Sequence, residues 1–269
     1  MIAVRSVSGR VLWLVVWWTA SPTVRLAAQD APEDRGPAIA READERVRGF
    51  GDLQARVEMV LREGGVTVAT RELEYAALEI SPTEERTIVY FQSPPDLRGT
   101  ALLTHAYAER DNEQWLYLPA LRRTKRIAES GRSAAFMGSE FSYEDLVPMR
   151  VEQFTYRFVR ADTHEDESVF VVERRPRYEG SGYSRQEMWV DTTAYKVLRV
   201  DSWDERGRAT RMLVLSEHEL DVDGRWRPRR AVMRDLRSDR ATELLWSEYR
   251  IATGLTEAEF SRAALGRPR

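Results

Sequence analysis

Apolar and polar residues alternate with a period of two over most of the chain, and each alternating run closes in turn chemistry. Val57, Met59 and Leu61 alternate with Glu58 and Arg62, and Gly64-Gly65 supplies a turn before the next run begins at Val66. Phe154, Tyr156 and Phe158 alternate with Thr155 and Arg157. Tyr195, Val197, Arg199, Asp201 and Trp203 share one face of another run, which stops at Asp204-Glu205-Arg206-Gly207. Comparable runs cover 86–92, 101–109, 113–118, 121–128, 168–175, 184–191, 208–219, 229–236 and 242–250. Roughly a dozen strands joined by short turns predict a meandering, largely antiparallel sheet. Helical patterning is confined to three places: Ala38–Val47, Thr256–Leu265 with capping-box spacing at Thr256 and Glu259, and a short turn at Tyr143–Leu146 stopped by Pro148.

A sheet of this size must curl, split or be covered. Trp115 and Tyr117 point one way while Leu116 and Leu118 point the other, and Ile88 with Tyr90 opposes Val89 with Phe91. Several strands therefore need apolar cover on both faces. Patterning leaves two solutions open: a sandwich that packs its own side chains together, or a sheet covered by a few helices around a concavity that lipid fills.

The amino terminus changes the expected compartment. Arg5 and Arg10 precede the apolar run Val11–Trp18, which is followed by small residues ending in Ala27 and Ala28, the pattern of a cleaved signal peptide over 1–28. That run is too short for a membrane span, which takes about 20 residues. Residues 29–38 read as a flexible lead-in, and 39–269 as a single domain without an internal linker or repeat. The chain has no Cys, hence no disulfide framework, thiolate metal site or lipid-modified cysteine at the cleavage junction. Net charge is -3, and cleavage would remove Arg5, Arg10 and Arg25 and deepen the acidic balance. That balance argues against a nucleic-acid partner. The expectation is a periplasmic, monomeric protein.

The run 115–145, WLYLPALRRTKRIAESGRSAAFMGSEFSYED, is dense in aromatics, Arg and small residues. Pro119 cannot donate to a ladder, so its strand should end or lie at an edge there. Trp115 and Tyr117 are either a cavity wall or ordinary core. Arg122, Arg123, Lys125, Arg126 and Arg132 form the densest basic cluster in the chain. Arg122, Arg123, Lys125 and Arg126 either contact anionic headgroups or an acidic partner, or protect an edge strand with charge. Phe136, Met137, Phe141 and Tyr143 sit among Gly131, Gly138 and Ser139. They form either a mobile loop closing over an acyl tail, the preferred reading, or a plug fixed in the core by Glu144 and Asp145.

WLYLPALRRTKRI, a small-residue linker and FMGSEFSYED together resemble the signature of the outer-membrane lipoprotein-sorting proteins, the LolA-like family, which is also similar to LolB and the LppX group. MWVDTTAYKVLRVDSWDERG and GRWRPRRAVM carry a weaker likeness, which extends over about residues 50–252. The resemblance implies a mainly β (α+β) fold: a strongly curved antiparallel half-barrel closed by a few helices around an apolar cavity. It implies a carrier of lipid or lipoprotein acyl chains, in transient contact with membranes and working beside an inner-membrane lipid exporter of the resistance-nodulation-division type. Trp115, Tyr117, Leu118, Phe136, Met137, Phe141 and Tyr143 are the expected lipid-binding set.

A search for catalytic patterns returns no GxSxG elbow, HExxH, P-loop or dinucleotide fingerprint, and no cofactor is expected. In Glu217-His218-Glu219 the histidine points away from both carboxylates on a strand, so a metal site is not expected. A secreted β-sandwich adaptor that binds proteins without lipid is the alternative function. A lipid hydrolase using Ser139 ranks third.

Overall fold

The computed structural model describes residues 32–266. The signal-peptide reading falls on 1–28 and lies outside the described residues. Helix α1 (Pro32–Glu45) is followed by β1 (Asp52–Glu63), β2 (Val66–Ser81), β3 (Glu84–Ser93), β4 (Ala101–Tyr107), β5 (Glu113–Leu118) and β6 (Arg123–Arg126). A connection over 127–153, containing short 3-10 turns, leads to β7 (Phe154–His164), β8 (Glu167–Pro176), β9 (Arg185–Asp191) and β10 (Val197–Trp203). The chain continues through β11 (Ala209–Leu220), β12 (Trp226–Asp235) and β13 (Arg240–Ile251). In place of the helix expected over Thr256–Leu265 only a 3-10 turn at Glu257–Phe260 follows, though Thr256 and Glu259 do form the expected capping box.

All thirteen strands belong to one antiparallel sheet, in the order β6-β5-β4-β3-β2-β1-β13-β12-β11-β10-β9-β8-β7. Two meanders are thus joined by a single long-range pairing, β1 with β13, in register from Glu63↔Arg240 to Leu53↔Ile251. The sheet is open, with β6 and β7 as its edges. At Gly64-Gly65 both residues have positive φ (58° and 77°), which suits a tight hairpin turn and glycine. Register shifts in β1, β2, β7 and β10 mark bulges, which add local twist and let a wide sheet curl.

Period-two alternation carries one apolar face across the sheet. Leu116 opposes Leu102, Leu102 opposes Val89 and Val89 opposes Tyr75. Beyond the β1–β13 seam, Met59 opposes Leu244, Leu244 opposes Ala231 and Ala231 opposes Leu215. Leu213 opposes Val200, Val200 opposes Met188 and Met188 opposes Val172. Neighbouring side chains on this face, together with Phe136 and Phe141 from the connection, surround a common hollow, so this face is concave.

The expected cover of a few helices is corrected by the structure. Among the described residues the only α-helix is α1, and it packs on β7 and β8 through Ile39, Ala40 and Ala43 against Val172, Met188, Val190 and Val200. Gly36 lets the helix touch β7 backbone, since a Cβ there would stand 2.6 Å from the Phe158 nitrogen. The helix starts at Pro32, so 32–38 of the expected lead-in belong to it; Pro is favoured in a first helical turn, which needs no backbone donor there. Over β1–β3 and β11–β13 the cover is instead the irregular connection, whose Gly and Ser content suits turns rather than helix. On the opposite face, residues 255–265 cap β2–β5: Leu255, Phe260 and Leu265 cover Ile88, Leu103 and Trp115.

Candidate functional site

Under the 127–153 connection the concave face leaves a hollow of about 410 Å³, within the roughly 300–1,000 Å³ of small-molecule sites. Its floor is Val57 and Met59 of β1, Leu73 of β2 and Leu244 and Trp246 of β13; Phe136 and Phe141 roof it. Strand alternation sends all the floor residues to the same side, which is why so apolar a surface is continuous. Val47 and Trp226 also line the hollow and are 48% and 40% exposed, marking the side on which it meets solvent.

One end of the hollow is polar. Glu85 and Arg150, both buried, form an ion pair at 3.0 Å, and Asp44 pairs with Arg48 at 2.7 Å. Burial pushes the Glu85 carboxyl up to about 7 and that of Asp44 up to about 6, against the pull of the arginines. Burial also lowers Arg150. The Nε atoms of Arg150 and Arg48 are buried without a hydrogen-bond partner among the described residues, an expensive condition for a guanidinium.

The roof is anchored from beneath. Glu144 accepts hydrogen bonds from the Gly182 N–H (2.7 Å), the Ser181 hydroxyl (2.7 Å) and the Tyr178 hydroxyl (3.2 Å). Asp145 accepts from the Ser142 N–H and hydroxyl, from the Tyr183 hydroxyl and from Arg211. Burial raises the Glu144 carboxyl. A second, smaller cavity of about 280 Å³ lies beside this network, and Asp145 with Val147, Pro148, Met149 and Arg150 line both cavities.

A family model described only as an "-like: Uncharacterized protein" matches residues 83–267. A domain described as an outer membrane lipoprotein-sorting protein, from Vibrio parahaemolyticus, is 35% identical over 87% of this chain and 99% of its own, with a TM-score of 0.84. The chain belongs to this LolA-like family. A DUF1329 family protein from Desulfovibrio piger is 28% identical over 87% of this chain and 99% of its own (TM-score 0.82). A LolA superfamily protein from Nitrosomonas europaea, 19% identical over 86% of this chain and 99% of its own, shares the fold (TM-score 0.67). No curated protein matches the chain.

The LolA-like signature at 115–145 is split by the fold between both faces of the sheet. Phe136 and Phe141 line the hollow. Leu118, Met137 and Tyr143 pack into the cluster around it without lining it. Trp115 and Tyr117 stand on the opposite face beneath Phe260 and Leu265, in the core position left open above. Pro119 ends β5 as expected, and a 3-10 turn occupies 119–121. Arg122 takes a left-handed conformation outside the strand, while Arg123–Arg126 form the exposed edge strand β6. Arg123 and Lys125 oppose Leu118 and Leu116 and so share the concave side; Arg126 opposes Trp115 and pairs with Glu113 at 3.3 Å. Ser139 is buried, and its hydroxyl donates to the Phe136 carbonyl at 2.7 Å.

Sequence reasoning missed Asp44, Arg48, Glu85 and Arg150. Glu85 carried a signal, because it shares a period-two face with Val89 and Phe91 and is out of place there. Arg150 lies in a connection without periodicity and offered none.

Proposed function

We propose that this LolA-like protein is a periplasmic carrier that holds acyl chains of lipid or lipoprotein in the hollow and passes them between membranes. The observation that carries this reading is the apolar hollow of about 410 Å³ inside a fold shared with a lipoprotein-sorting domain. Each buried methylene contributes about 0.8 kcal/mol, so a fully enclosed chain would be released too slowly for transport; an opening beside Val47 and Trp226 is the geometry a carrier needs. The signal-like pattern over 1–28 supports export. The exposed basic edge at Arg122, Arg123, Lys125 and Arg126 suits anionic headgroups or an acidic surface of a partner, for which an exporter of the resistance-nodulation-division type is the candidate.

The alternative of a β-sandwich adaptor fits less well, because one continuous sheet with a hollow replaces two interdigitated layers. Hydrolysis through Ser139 has no geometric support, since its hydroxyl is committed to a backbone carbonyl. The test is purification without detergent from the producing cell, followed by lipid extraction and mass spectrometry. A stoichiometric acyl species is expected; its absence, with failure of added fatty acid to bind, overturns the carrier.

A further inference from the structure

The polar end of the hollow is more than a structural ion pair. Glu85 of β3 and Arg150 of the connection lie 65 residues apart and meet at the same wall. A buried pair is stable only when its remaining donors and lone pairs are satisfied. Here they are not: Arg150 is 2% exposed, and its Nε has no partner among the described residues. Arg48 repeats the arrangement, with one nitrogen on Asp44, another donating to the Pro82 carbonyl at 2.6 Å and Nε unpaired. Arg150 and Arg48 thus line the hollow beside their own carboxylates, each with an unused donor, whereas Arg227, the third guanidinium on its lining, is committed to Asp221 and Asp223.

We propose that Arg150 and Arg48 seat the head of the guest, which is a single-chain amphiphile ending in a carboxylate or phosphate, with its tail along Val57, Met59, Phe136 and Phe141. This deepens the carrier reading and rests on it. An anion at this end competes with the carboxylates for the two guanidinium groups, whose donors are not all used, and charge-assisted hydrogen bonds in a desolvated site are the strong ones. Glu85 and Asp44 hold the arginines in place meanwhile, and their raised protonation tendency lets them yield to a stronger anion. Size agrees: the hollow is at the small end for ligand sites, which favours one chain over several.

The experiment is equilibrium dialysis of the full mature chain against palmitic acid, hexadecyl phosphate and methyl palmitate at neutral pH. Both anions, or one of them, are expected to bind about tenfold or more tightly than the ester, as a buried charge-assisted hydrogen bond allows; a preference for only one anion identifies the head. Arg150→Met should bring anion affinity down to that of the ester and leave ester affinity unchanged. Should that variant fail to fold, Glu85→Gln decides, because removing the competing carboxylate should widen the preference. Equal binding of acid and ester by the unaltered chain overturns the head seat while leaving the carrier intact. Binding of none of the three overturns both.

Discussion

The two halves of the concave face start from the same pattern and end differently. Over β7–β10, Val172, Met188, Val190 and Val200 are sealed by α1, and Met188 and Val190 have no exposure at all. Over β1–β3 and β11–β13, equally apolar residues face a hollow and an irregular roof. Native interiors are close-packed, and a cavity forfeits contacts along its whole lining. A chain able to fill one half with a helix but leaving the other unfilled has kept room for something else. The helix brings Ala40 and Ala43 to its contact, small residues that allow close approach; the roof brings Phe136 and Phe141, which bridge a wider gap.

The sharpest check of filled against unfilled cover lies on the opposite face, where Phe260 is fully buried over Leu103 and Trp115. Phe260→Ala should lower stability by about 3–5 kcal/mol in denaturant melts and leave acyl binding in the hollow unchanged. Loss of binding would show that the two faces are not independent.

A pH series separates the hollow from the sealed half next. The carboxyls of Glu85 and Asp44 are raised, so the folded protein holds protons that the unfolded chain gives up earlier. Their contribution is fully present below about pH 4 and lost as pH rises through about 6 and 7, by on the order of 3 kcal/mol for each group. The lowered carboxyls of Asp52, Asp223 and Glu243 act below that window with opposite sign, and within it the raised Glu144 adds to the decline while His105 and His218, lowered by burial, oppose it. Urea melts between pH 5 and 7 should therefore show declining stability, and Glu85→Gln should flatten the slope. A flat profile for the unaltered chain would place both acids in a more hydrated setting.

The same change made in each half then compares them directly. Ala40→Leu, in the sealed half, should cost about 1–3 kcal/mol through overpacking. Ala231→Leu adds the same carbons to the wall of the hollow, where space exists; it should shift stability by less than about 1 kcal/mol and weaken fatty-acid binding. Equal destabilisation would mean that the hollow collapses in solution. The smallest stability effect belongs to the double reversal Arg123→Glu with Lys125→Glu on the exposed edge strand, within about 0.5 kcal/mol. Transfer to anionic vesicles should fall, and unchanged transfer would leave those residues as edge protection only.

Much of the fold was legible locally, because β alternation, turn glycines and caps are short-range effects. The strands, the break at Pro119 and the capping box at Thr256 and Glu259 all appear where the pattern puts them. The site was legible only in part. Phe136 and Phe141 line the hollow, but Trp115 and Tyr117 alternate in a strand apolar on both sides, and period two cannot say which face turns inward. The cover was harder still, since irregular backbone has no period to read.

Sequence by itself determined a β chemistry: which segments extend, where they turn, and a family signature specific enough to expect a lipid carrier. Tertiary structure alone decided that β1 seals against β13, which side of the sheet is concave, and that Glu85 meets Arg150 at the end of an apolar hollow. The reason is physical. Alternation sets the two faces of each strand, but curvature and the contacts across it come from registers and bulges summed over thirteen strands, and no local stretch contains that sum.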